Sequence, residues 1–226
     1  MVRRTVERRP LVERVTFALV VAIASMGSGP AGAIPSAKPR VHVASGTHLQ
    51  SLTRIAELSA SGSQVAAMTE QGSRYCDHLL AWRAGTTRVI QFPARSCRDN
   101  GYLAVVTLVG IRVTWYEIAY GNSSYWTLFT ADVRRPQTAI EGDEQSGDHG
   151  EEPGRPPPER GKRRGVTMTV RTGAVVLTRA DGKKRTIHAA GVVDAELDVA
   201  GLFYAFNGPS PRPGNIVFVP FAKLFA

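Results

Sequence analysis

Three stretches of this chain align without gaps: Leu58-Ser-Ala-Ser-Gly62-Ser-Gln-Val65-Ala-Ala67, Val106-Thr-Leu-Val-Gly110-Ile-Arg-Val113-Thr-Trp115 and Leu197-Asp-Val-Ala-Gly201-Leu-Phe-Tyr204-Ala-Phe206. Each reads as an apolar strand, a glycine turn and a second strand with an apolar residue three positions after the glycine. Outward from them, β-rich runs of five to nine residues alternate with Gly, Asn, Asp and Pro. The pattern predicts strands at 54–59, 64–69, 78–83 and 87–92, then at 102–109, 112–120 and 125–131. Further strands are expected at 166–171, 174–179 and 184–188, and at 195–199, 202–206 and 215–221. Gly121-Asn122-Ser123-Ser124 and Ala180-Asp181-Gly182 carry the residue types of hairpin turns. Gly62 and Gly110 lie 48 positions apart, the length of a four-stranded repeating unit.

These motifs resemble the blades of secreted β-propellers of the TolB or WD type, over about residues 50–226. The resemblance rests on Leu58-Ser59-x-x-Gly62-x-x-Val65-Ala66 and on Asp181-Gly182-Lys183-Lys184-Arg185-Thr186-Ile187; no WD dipeptide accompanies them. It implies an all-β fold of short antiparallel four-stranded sheets, forming a small or incomplete β-propeller. A β-sandwich is the alternative. Rings take four to eight blades, whereas this chain has material for three to four. Val41-His42-Val43 is placed to add a closing strand from the N-terminal side.

Residues 1–33 have the three parts of a secretory signal peptide. Arg3, Arg4, Arg8, Arg9 and Arg14 precede the apolar run Val15–Met26, and Ala31-Gly32-Ala33 supplies small residues for cleavage before Ile34. Twelve apolar residues span ~18 Å as a helix, short of a ~30 Å hydrocarbon core. A membrane association is expected only if this segment stays uncleaved. The expected location is secreted or extracytoplasmic.

Export bears on Cys76 and Cys97, the two cysteines of the chain. An oxidising compartment favours pairing them. On the propeller resemblance, one follows the second strand of a blade and the other its fourth, so both fall at the same edge.

The expected domain plan is a signal peptide at 1–33, two blade units at 34–135, a linker at 136–165 and the remaining units at 166–226. The linker is acidic at Glu141, Asp143, Glu144, Asp148, Glu151 and Glu152, then basic and proline-rich to Arg164. With one isoleucine and no aromatic it buries too little to order itself, so it reads as disordered.

No G-x-S-x-G elbow, P-loop, G-x-G-x-x-G or H-E-x-x-H occurs after the signal segment. The histidines (His42, His48, His78, His149 and His188) form no local metal-ligand spacing. No catalytic residue and no cofactor is assigned. Asp194, Glu196 and Asp198 alternate with Ala195, Leu197 and Val199, which puts three carboxylates on one face of a strand. They are the candidate divalent-metal ligands; the plainer expectation is an acidic face in water. Trp115, Trp126 and Tyr125 are candidates for a ligand-stacking platform, against a core role.

The chain carries 28 Lys+Arg against 19 Asp+Glu, a formal charge of +9. Beyond the first 33 residues the basic residues are scattered in sequence apart from one run at Arg160 to Arg164, and no nucleic-acid module accompanies them, so no nucleic acid is expected as partner. The leading expectation is an exported, non-catalytic binding module for a protein or envelope component. One alternative is an exported hydrolase or lyase, divalent-metal-dependent, built on Asp194, Glu196 and Asp198. The other is a degenerate propeller fragment.

Overall fold

The computed structural model describes residues 43–70, 78–93, 101–120, 123–147, 162–209 and 213–226. They belong to one compact unit, Arg40–Ala226. The segment 1–33 lies outside the described residues, as do Cys76 and Cys97.

The described chain is almost entirely antiparallel β-structure in four small sheets. Sheet I runs β3 (Arg54–Ser61), β4 (Gln64–Glu70), β5 (His78–Arg83) and β6 (Val89–Gln91) in chain order. Sheet II does the same with β7 (Tyr102–Val109), β8 (Arg112–Tyr120), β9 (Ser124–Asp132) and β10 (Arg135–Gly147). Sheet III contains β11 (Lys162–Arg163), β12 (Val166–Arg171), β13 (Ala174–Arg179) and β14 (Lys184–His188). Sheet IV contains β15 (Val192–Asp198), β16 (Gly201–Asn207) and β17 (Gly214–Pro220). Two strands from the other end of the unit complete it: β2 (His48–Gln50) pairs with β17, Ile216 opposite Leu49, and β1 (Val43–Ser45) pairs with β2. The added strand is therefore centred on His48–Gln50, a few residues later than expected.

The turns explain the sequence repeat and correct its third copy. In sheets I and II the first hairpin closes at Gly62-Ser63 and Gly110-Ile111, between Ser61↔Gln64 and Val109↔Arg112. Gly62 and Gly110 have φ of 60° and 61°, the first central position of a two-residue hairpin turn, where glycine avoids a Cβ clash. In sheet IV the pair Asp198↔Gly201 closes the turn at Val199-Ala200. Gly201 therefore opens β16, and the structural match of Ser61 is Asp198. The third copy is offset by two residues, which keeps every side chain on its expected face.

Three apolar clusters join the sheets face to face, in the order III, IV, I, II. Val166, Val175 and Leu177 of sheet III meet Ala195, Leu197 and Leu202 of sheet IV. Phe203, Ala205 and Ile216 meet Leu58, Val65 and Trp82 of sheet I. Ala66, Met68 and Leu79 meet Leu103, Leu108 and Trp115 of sheet II. Sheet I is thus covered on both faces, which explains the unbroken run Val65-Ala66-Ala67-Met68 on β4. Sheet III is covered on one face, and the threonines of β12 and β13 line its polar side. Among the described residues no such cluster joins sheet II to sheet III.

The expected linker is shorter than its composition suggested. Residues 136–147 belong to β10, which pairs with β9 through two register irregularities. It is rich in acidic and polar residues, so composition reads it as disordered; the free edge of β9 orders it through the backbone. An irregular, charged outer strand also protects the sheet from pairing with other chains.

Candidate functional site

The acidic row on β15 is committed to the fold. The first strand of each sheet has one edge without a strand partner, and its N–H groups need acceptors. Leu58 N–H donates to Asp194 Oδ2 at 2.8 Å. Ala60 N–H donates to Glu196 Oε2 and Gly62 N–H to Asp198 Oδ2. The strands run parallel here. Same-face side chains recur every ~6.6 Å on one strand and same-edge N–H groups at the same interval on its neighbour, so three acceptors meet three donors.

This corrects the expectation of a solvated acidic face. Asp194 is 6% exposed, and Glu196 and Asp198 are half-buried. Asp194 and Asp198 also accept the N–H of Ala195 and Val199 through their other oxygens, at 2.9 and 2.6 Å. Arg163 of sheet III lies 3.9 Å from Asp198. Oxygens engaged in this way do not converge on a cation. Among the described residues no group of three or more His, Cys, Asp and Glu is arranged to hold a metal ion. His188, on β14 opposite Ala174, belongs to another sheet.

The same device recurs one sheet further on with hydroxyls. Ser59 Oγ accepts from Leu108 N–H and Ser61 Oγ from Gly110 N–H, both at 2.9 Å. By position in the hairpin, Ser59 matches Glu196 and Ser61 matches Asp198. On sheet II the match of Ser61 is Val109, whose side chain has no acceptor and which is 70% exposed, and the match of Ser59 is Thr107.

The aromatic candidates separate. Trp115 is 1% exposed, stacked on Phe129 at 5.7 Å and edge-on to Phe92. Trp126 is also buried and donates its indole N–H to Gln145 Oε1 at 3.0 Å. Trp126 stands opposite Ile118, three residues from Trp115, so the two indoles occupy opposite faces of sheet II. Tyr125 alone is exposed. The three do not form one platform.

A cluster the sequence did not reveal lies where the first hairpins turn. A cleft of about 680 Å³ is lined by Ile111, Arg112, Asp132, Arg134, Arg135 and Ile140, among others. An adjoining one of about 330 Å³ is lined by Trp82, Arg83, Arg88 and Ile90, and shares Ile111 and Arg134. All five arginines are exposed. Turn residues beside two of them are held by backbone bonds: Ala84 N–H, next to Arg83, donates to Ser63 O and Val133 N–H, next to Arg134, to Ile111 O, each at 2.9 Å. Trp82 Nε1 holds the β5–β6 loop through Thr86 O at 3.0 Å.

Asp132 clamps one of the five. It accepts Arg134 Nη2 at 3.1 Å, Nε at 3.3 Å and the Arg134 backbone N–H at 2.7 Å. These bonds hold the Asp132 carboxyl below its ordinary value and raise the Arg134 guanidinium. No carboxylate among the described residues lies at ion-pair distance from Arg83, Arg88, Arg112 or Arg135. The arginines are scattered along the sequence, but each borders a hairpin turn at the same end of sheet I or II. Strand direction, which sequence position alone does not display, brings them together.

No protein-family model, curated protein or solved structure matches this chain.

Proposed function

We propose that the chain is an exported, non-catalytic binding module of propeller-like build, with a protein or cell-envelope component as partner. The build is supported by sheets that follow one another with their first strands side by side, and by a strand from before β3 that completes the last sheet. A propeller presents loop-rich ends to a partner, and fold alone does not name that partner. The observation that carries the binding reading is the cleft pair at the turn end of sheets I and II, lined by five arginines of which only Arg134 has a carboxylate at ion-pair distance among the described residues. The hydrolase or lyase alternative rested on Asp194, Glu196 and Asp198, and those oxygens cap the edge of β3. Export rests on the segment 1–33. N-terminal sequencing of protein from culture supernatant should read Ile34 first. Recovery only as a full-length cytoplasmic chain would overturn the export part of the reading.

A further inference from the structure

We infer that the two adjoining arginine-lined clefts at the turn end of sheets I and II, the larger within sheet II and the smaller between the two sheets, take an acidic peptide segment of a partner protein, with apolar residues set between its carboxylates. The inference rests on the binding-module reading and names the chemistry of its ligand.

Five arginines against one aspartate line the two joined cavities. Asp132 neutralises Arg134 and holds it in place. Arg83, Arg88, Arg112 and Arg135 surround that fixed pair with positive charge. A guanidinium presents a planar fork that matches a carboxylate with two parallel hydrogen bonds. A single small anion would leave most of these forks unused, whereas a chain with spaced acidic groups engages several.

Part of the surface between the forks is apolar. Ile111 and Ile90 are half-buried there and Ile140 is 71% exposed. Peptide side chains between acidic residues cover such a surface. An anionic polysaccharide or a single-stranded nucleic acid gains much of its binding from stacking on exposed rings. The ring in this cleft, Trp82, is 1% exposed and is packed edge-on to Phe203. The chemistry therefore favours a peptide over a sugar or nucleotide polymer.

The test is fluorescence anisotropy on the chain from Ile34 onward, with a labelled peptide of repeated Glu-Glu-Leu as probe. Binding should weaken as salt rises from about 50 to 200 mM, because exposed charges are screened. Arg88→Glu combined with Arg112→Glu should weaken it at least tenfold. Arg171→Glu, an exposed change on sheet III, should leave it unaltered. Thermal melts of both variants verify folding. If the folded Arg88/Arg112 variant binds as tightly as the parent, the cleft is not the site. Tighter binding of polygalacturonate or of an oligonucleotide than of the peptide overturns the ligand class. If no anionic probe binds, the cleft inference is overturned, whereas export is judged separately by the N-terminal sequence.

Discussion

Sheet IV is joined to sheet I by carboxylates, and sheet I to sheet II by hydroxyls. The geometry is otherwise the same: side chains on one first strand accept the edge N–H groups of the next. At the IV–I junction Asn207 adds a second link, accepting from Ile55 N–H and donating to Ile55 O, both at 2.8 Å. An ionised acceptor makes a stronger bond than a hydroxyl but costs more to bury. Asp194 and Asp198 offset that cost by accepting two N–H groups each. The difference makes the IV–I junction the more polar and more demanding one, and the I–II junction the more tolerant. On sheet II the position that matches Ser61 and Asp198 holds Val109, which offers no acceptor.

The largest effect that separates the junctions comes from their aromatic centres. Phe203 is fully buried, with its ring 4.6 Å from Phe218 and 6.2 Å from Trp82. Phe203→Ala should cost about 3–5 kcal/mol in denaturant unfolding. Hydrogen exchange should show sheets IV and I losing protection together. Loss of protection in sheet II alone would break the distinction between the junctions.

A comparable effect is expected from Cys76 and Cys97. The described residues that flank them in sequence lie at one end of sheet I: Thr69 pairs with His78, and Phe92 N–H donates to Leu79 O at 2.9 Å. A bridge there would close a loop of about 20 residues and stabilise by ~3 kcal/mol. Non-reducing peptide mapping of the chain prepared under oxidising conditions should show one linked pair. Alkylation of both thiols in the native protein would rule the bridge out.

Strand positions were largely legible in the sequence, because alternation and glycine turns are local signals. A run such as 64–69 needs no partner to be read, and β4, β8 and β13 fall where the pattern put them. What the sequence did not display was which edge each strand leaves open. The acidic row of β15 alternates with apolar residues and looks like a one-sided strand in water. Its role follows only from β3 lying beside it, with 136 residues between donor and acceptor. The arginine cluster was hidden for the same reason, since Arg88 and Arg134 share an end of neighbouring sheets and nothing local. Trp115 and Trp126 were close enough in sequence to suggest one surface, but register places them on opposite sides. β10 was missed because its order comes from backbone pairing and not from apolar burial.

The junction chemistry can be compared directly by removing one acceptor from each. Asp194→Ala leaves the buried Leu58 N–H without its partner and should cost about 2–3 kcal/mol. Ser59→Ala removes a neutral bond to Leu108 N–H and should cost about 1 kcal/mol. Urea unfolding of the two variants measures both. Equal costs would mean that the charge on the acceptor adds nothing at the IV–I junction.

The smallest effect belongs to carboxylates that serve a single hairpin. Asp181 sits in the turn between β13 and β14 and is exposed. It accepts from the Arg179 side chain, with Nε at 2.9 Å, and from Lys183 N–H at 3.1 Å. The Arg179 bond, then the Lys183 N–H, lowers its pKa to about 2. Because the folded value lies below that of an unfolded aspartate, the contribution to stability is present above about pH 4. It is lost as pH falls through about 2. Solvent and salt screen an exposed pair, so the change in stability should be slight. A carboxyl NMR titration should place the Asp181 midpoint near 2, and Arg179→Ala should return it toward the ordinary aspartate value. The melting temperature of that variant at neutral pH should stay close to the parent's, in contrast with Asp194→Ala. A large loss of stability in Arg179→Ala would show that the hairpin clamp matters as much as the junction acceptors, and the contrast between buried and exposed carboxylates would fail.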